Sequence, residues 1–250
     1  VLHVLHAAGG GIEKHVRELA GYLDASGWNS VLLWPDAGTL MVHLTSIRLE
    51  HTPNLIYMLD KSRGELFDVL CQLDVVHVHV HTLMDFPPDA AEKVMLLCAA
   101  LGVSYDVTLH DYYWICPRVN LVDSTRIYCG EPPVSICEKC VAGLLPEDAT
   151  VASWRSISGL FLTRARRLFV PDSDVARRMV HYFPDLTFEK RPHPEPAIPM
   201  QGLAAQRKPG KPLRVAIIGS VTDVKGLALL RQCVVDAAAR KLPIHFVIIG

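Results

Sequence analysis

The sequence predicts an α/β protein built on a doubly wound parallel sheet. Three observations carry the prediction. Short apolar segments alternate with amphipathic ones along most of the chain. A glycine-rich turn, AAGGG, follows the first apolar segment directly. A second strand–turn–helix–strand unit begins after a proline-rich stretch.

The elements follow in order. VLHVLH, Val1 to His6, reads as a short buried strand. In IEKHVRELAGYLDASG, Ile12, Val16, Leu19 and Leu23 fall at helical spacing, and Gly27 is the stop. WNSVLLW is the next strand, and a helical stretch runs near Glu65 to Leu70. DVVHVHVH alternates strictly from Val76 on, as a strand does. AAEKVMLLCAALG is an amphipathic helix and VSYDVTLH the strand after it. A cysteine-rich loop is expected over 111–145. VASWRSISGLFLTRA then reads as a helix, RRLFVPD as a strand, and SDVARRMVHYF as a helix with a Ser or Asp cap.

These elements place a first Rossmann-like domain at 1–190 and a linker at 191–212. The start of a second domain follows at 213–250, with LRVAIIGS and PIHFVIIG as strands and LALLRQCVVDAAARK as the helix between them. The chain opens inside one strand and stops just after another, so it reads as part of a longer protein. A sheet of this kind binds ligands beyond the C-terminal ends of its strands.

Composition narrows the classes. Half of the 250 residues are hydrophobic, a fifth are charged, and the net charge is −1, which suits a globular fold and argues against a nucleic-acid surface. No run approaches the roughly 20 apolar residues of a membrane span. No G-x-G-x-x-G follows either opening strand, which disfavours an NAD enzyme.

Several residues invite chemistry, each beside a plainer account. Gly9, Gly10 and Gly11 let backbone approach an anion at a helix N-terminus, or simply make a tight turn. His110 ends a strand at the crevice, where it can meet a phosphate or sugar, or only backbone. Lys225, in the turn of the second unit, suits a diphosphate or plain solvent. His77, His79 and His81 share one strand face, but their ~7 Å spacing is awkward for three ligands of one tetrahedral metal.

Cys116, Cys129, Cys137 and Cys140 are spaced C-x12-C-x7-C-x2-C. A structural zinc on a loop is the favoured reading, with free thiols and disulfides as alternatives. Four thiolates would leave zinc no open position, so this would not be a catalytic metal. Cys71, Cys98 and Cys233 read as small buried hydrophobes.

The motifs GGGIEKHVRELAGYLDASG, DVVHVHVH, VTLHDYYWICPR and IGSVTDVKGLALL together resemble the GT-B glycosyltransferases of family 4, the retaining "group 1" enzymes. The HDYY-x-x-CPR run and the later C-x-x-C resemble a bacterial subset tied to surface polysaccharide. The resemblance implies transfer of a sugar, with retention, from a nucleoside diphosphate sugar to a glycan or lipid-linked acceptor, with no catalytic cofactor. It implies that Gly10 and Gly11 approach the donor diphosphate and that His110 faces the transferred sugar. Lys225 would neutralise the leaving group within the turn made by Gly219 and Gly226. It also implies a cytoplasmic protein with room for peripheral contact at the inner face of the membrane, for which the helix around Arg155, Arg164, Arg166 and Arg167 is a candidate, although an ordinary packed helix with a solvated basic end is the favoured account of those residues.

Two departures stand out. Ser220 occupies a position where many members carry Arg. The family's E-x7-E carboxylates would lie beyond this chain, so the resemblance implies that the chain alone is inactive. The alternatives are an inactive relative that binds carbohydrate or nucleotide, and a nucleotide-sugar epimerase.

Overall fold

The computed structural model describes residues 1–36, 38–47, 55–59, 63–193 and 210–249. Most of the expected linker lies outside the described residues. The described residues group into two compact units. One holds 1–121 and 131–193, the other 122–130 and 210–249.

The first unit is a sheet with helices. β1 (Leu2–Val4) is followed by α1 (Gly10–Ala25) and β2 (Val31–Pro35). β3 (Met41–Ser46) and β4 (Leu55–Met58) come next, then α2 (Arg63–Gln72), β5 (Val78–Val80), α3 (Ala90–Leu101) and β6 (Tyr105–Thr108). The chain continues with α4 (Val134–Val141), α5 (Val151–Arg164), β7 (Arg167–Val170), α6 (Ser173–Tyr182) and β8 (Glu189–Lys190).

The eight strands lie in the order β4-β3-β2-β1-β5-β6-β7-β8. All pairs from β2 to β8 are parallel. β3 and β4 pair antiparallel at one edge, which corrects the expectation of a wholly parallel sheet. The alternation in MVHLTS buries Val42 and Leu44 and not their neighbours, the pattern of a strand covered on one face. β1 is the opposite case: Leu2, His3 and Val4 are all buried, so both faces are covered.

Local chemistry sets the helix ends. α1 stops at Ser26 and Gly27, the glycine at φ +85°. α3 ends on Gly102 in the left-handed region, its N–H bonding back to Ala99 and Cys98 carbonyls. Thr150 and Ser153 form a capping box on α5, and the Asp172 carboxylate accepts from Asp174 and Val175 N–H at the start of α6.

The cysteine segment is not all loop. Pro132 and Pro133 lead into α4, which carries Cys137 and Cys140, so the C-x-x-C pair sits on a helix. Proline just before a first turn sets φ at no hydrogen-bond cost, a signal that the cysteine spacing concealed. Cys71 and Cys233 are exposed, so only Cys98 of that expected group is a buried hydrophobe.

The second unit pairs β9 (Leu213–Ile218) with β10 (Ile244–Ile249) in parallel over six residues, with α7 (Leu227–Ala239) between them in sequence. A 3-10 turn at Asp223–Lys225 precedes the helix. Ile218, Leu229, Val235 and Ile248 stay more than half exposed, because one helix and two strands bury little apolar surface.

One charged group is fixed inside the first sheet. Asp106 is 2% exposed and accepts from Arg167 Nη2 at 2.9 Å, His77 Nε2 at 3.2 Å and Arg166 Nε at 3.3 Å. Both arginines are about half exposed and can rehydrate if the carboxylate is removed. Removal of both arginines leaves the withdrawn carboxylate with only His77 of these three donors. Asp106→Ala should therefore cost about 1–3 kcal/mol in urea unfolding. Arg166→Ala combined with Arg167→Ala should cost more, about 3–5 kcal/mol. The reverse ranking would refute this account of the ion cluster.

Candidate functional site

Strand order reverses direction between β1 and β5, because β2 lies on the far side of β1. The crevice of such a sheet opens at that point, beyond the strand C-termini. β1 delivers His6 and the glycine turn there. β5 delivers His81 and Thr82, and β6 delivers His110 and Asp111. α1 adds His15, and the segment after β8 adds His193.

The histidines form two layers. In the inner layer His3 and His79 are direct partners across β1 and β5, with rings 6.0 Å apart. His79 Nε2 lies 2.8 Å from Thr108 Oγ1. In the outer layer the His15 ring is 4.8 Å from His110 and 4.5 Å from His193, and His110 stacks on His193 at 5.0 Å. His81 joins the layers: its Nε2 lies 3.1 Å from His3 Nδ1, and its Nδ1 3.0 Å from His110 Nε2. His3 Nε2 ends the chain 3.3 Å from Ser30 Oγ.

A neutral imidazole carries one N–H, so the proton on each ring dictates the proton on the next. The line Ser30–His3–His81–His110 is satisfied in only two tautomeric senses, one the reverse of the other. Burial, reinforced by neighbouring imidazoles, pushes His3, His81 and His110 well below the usual histidine range. Burial also lowers His79 to about 4, and lowers His15 to about 4 with help from His193. Asp111 is shifted the other way: burial raises it to about 6, opposed by bonds from Tyr113 N–H and the Thr82 hydroxyl. A carboxyl in that range can hold or release a proton near neutrality. For Asp106, burial alone would raise the carboxyl, but the bonds from His77, Arg167 and Arg166 outweigh it and keep it ionised.

The glycine turn lies at this same end. Gly9 and Gly10 have φ of +69° and +80°, which a residue with a Cβ adopts only under strain, whereas Gly11 continues the helix. No side chain caps α1. Glu13 stands in its first turn instead, held by Arg17 Nε at 2.7 Å. Both border a cleft of about 260 Å³ walled by Leu5, His6, Trp34 and Thr45.

The sequence-expected residues thus divide. His110, Gly10 and Gly11 come to one end of the first sheet. Gly219, Lys225 and Gly226 belong to the second unit, where Gly219 and Gly226 have φ of +94° and +84° and Lys225 Nζ donates to Ser220 Oγ at 3.1 Å. His77 leaves the row of strand histidines for Asp106, while His79 and His81 stack at 4.3 Å. The roles of His3, His15 and His193 were not anticipated. Their signal was faint: single histidines scattered over three elements that only the topology brings together.

The cysteine thiols are all free of disulfides. Among the described residues, the groups of three or more side chains poised to share a metal are histidines: His3, His79 and His81, and His15, His81 and His110. Cys137 Sγ faces the Pro132 carbonyl at 3.5 Å and Arg155 Nη2 at 3.6 Å. Hydrogen bonds brace the segment. Arg118 donates to the Cys140 carbonyl at 2.7 Å, Arg155 to the Ile115 carbonyl at 2.9 Å and Trp154 to the Tyr113 carbonyl at 2.7 Å. Arg155 also lies over the Tyr182 ring, 4.6 Å from its centre. No described helix is long and apolar enough to cross a membrane. No protein-family model matches the chain, and no curated protein matches it.

The buried imidazoles set a pH dependence. Above pH 6.5 they are neutral folded or unfolded and contribute no slope. Below it the unfolded chain takes up protons that the fold refuses, down to about 4, where His15 and His79 charge in place. Stability should fall as pH drops through this window, by up to about 1.4 kcal/mol per pH unit for each fully buried ring such as His3 and His81. Urea midpoints measured from pH 8 to 4.5 with chelator present would check this. A flat profile would contradict it.

Proposed function

We propose that this chain belongs to a retaining GT-B glycosyltransferase that moves a sugar from a nucleoside diphosphate donor to an acceptor hydroxyl, in glycan or polysaccharide synthesis. The observation that carries the reading is one shared location. His110 and the glycine turn, named from separate motifs, lie at the same end of one parallel sheet, linked through the His15 ring. That end is where a doubly wound sheet binds its ligands. The first unit supplies an uncapped helix N-terminus beside glycines, which suits an approaching diphosphate. The second supplies Lys225 and two glycines in left-handed conformation ahead of α7, a second turn suited to phosphate oxygens.

In this reading His110 meets the transferred sugar, and its neutral ring offers one donor or one acceptor according to tautomer. Lys225 and backbone amides stabilise the departing diphosphate, so catalysis needs no metal. The cleft beside Trp34 offers an aromatic wall of the kind that sugar rings pack on. Ser220 in place of Arg leaves Lys225 as the principal cation of its turn and weakens the hold on the donor.

Binding is the direct test. Uridine, guanosine, thymidine and adenosine diphosphates would be titrated calorimetrically into the purified chain. One should bind, and Lys225→Ala should weaken it by about tenfold, near 1.4 kcal/mol for a lost charge-assisted contact. His110→Ala should leave it within about twofold. Failure of all four diphosphates to bind would defeat the proposal.

A further inference from the structure

We propose that His15, His81 and His110 form a binding site for a borderline divalent transition metal of the zinc class, with its fourth position open. The site is separate from the four cysteines, and it does not depend on the glycosyltransferase reading, in which catalysis uses no metal.

The geometry carries it. Each of the three rings offers one nitrogen, and these ligand atoms all lie within 4.8 Å of one another. His81 Nδ1 and His110 Nε2 are already 3.0 Å apart. Tetrahedral zinc with bonds of about 2.0–2.1 Å holds its nitrogens about 3.3–3.4 Å apart. Opening that pair by a few tenths of an ångström and drawing in His15 would complete three ligands. His15 Nδ1 is buried and has no hydrogen-bond partner among the described residues. An imidazole nitrogen withdrawn from water without a partner is a standing cost that a metal ion would remove.

The support behind the ligands is in place as well. A histidine that binds metal through one nitrogen usually donates its other N–H to a fixed acceptor, which sets the tautomer. His81 would ligate through Nδ1 and donate from Nε2 to His3 Nδ1 at 3.1 Å. His3 would pass its own Nε2–H to Ser30 Oγ at 3.3 Å. From Ser30 to His81 this is one of the two tautomeric senses that the line allows, while His110 would carry its proton on Nδ1 so that Nε2 can ligate. The inner group of His3, His79 and His81 is the poorer candidate. His3 and His81 are fully buried, and His79 is already paired with Thr108. His15 and His110, by contrast, are partly exposed and give an ion a way in.

Three imidazoles leave zinc a fourth position for water or a ligand oxygen. A metal there would occupy the His110 nitrogen, so it would compete with any sugar that His110 contacts.

The test uses metal alone. Chelator-stripped protein would be titrated with Zn²⁺ by calorimetry and with Co²⁺ by absorption. Wild type should take up one equivalent with visible ligand-field bands and no thiolate charge-transfer band. The pair Cys137→Ser and Cys140→Ser should bind as wild type does. His15→Ala and His110→Ala should each weaken binding by at least about tenfold. Unchanged affinity in His15→Ala, or loss of binding in the cysteine pair, would overturn the assignment. Should His110→Ala fail to fold, the wild-type cobalt spectrum still decides, because a thiolate band or no ligand-field band contradicts it.

Discussion

The contact between His81 and its two neighbours joins β1, β5 and β6 at the end of the sheet where ligands are expected. With all three rings neutral, each contact is satisfied by a single proton. A proton added to the middle ring would place two N–H groups against partners that must then both accept, inside a space that water does not reach. The chain meets this constraint by burial, which removes the solvent that would stabilise the cation. The charge the sheet does bury, Asp106, is placed in register with His79 but balanced from the outer side by His77, Arg166 and Arg167. Neutral imidazoles and a compensated carboxylate thus share one face: burial outweighs the upward pull of Asp106 on His79 and leaves that ring neutral.

The wall beside this row is built differently. Trp114 and Ile115 are buried, and Trp114 stacks on Phe161 of α5 at 5.2 Å. Arg118 closes the C-terminal carbonyl end of α4 through Cys140. Glu138 of α4 accepts from the N–H groups of Val151 and Ala152 at the free start of α5. Each is a charge placed against the helix end of opposite polarity. The segment that follows His110 is therefore fixed by two arginines, a glutamate and two tryptophans as well as by whatever its thiols bind.

Much of the architecture was legible from periodicity. The helices at 10–25, 90–101, 151–164 and 173–182 and the strands around them fall where their apolar spacing put them. β3 and β4 escaped notice because no turn signature framed them as a hairpin, and β8 is two residues long. α4 starts at a Pro-Pro pair, a helix signal that the cysteine spacing overlaps and obscures. The site was legible only in part. His110 announced itself by ending a strand, and the glycines by following one. The histidine line did not, because hydrogen bonds between positions 3, 81 and 110 depend on which strands become neighbours, and a single sequence carries no such distance. The thiol spacing, conversely, gave a clear local pattern, while the described ligand groups are made of imidazole.

The central claim is that His3, His81 and His110 stay neutral and hydrogen-bonded to one another in the folded chain. Long-range proton–nitrogen correlation spectra of the histidine rings, recorded on metal-free protein from pH 7.5 to 5.5, test it most directly. The account predicts three neutral rings across that range, with tautomers running in a single sense from Ser30 to His110. Three rings that titrate near the ordinary histidine value, or with both tautomers populated independently at each ring, would contradict it.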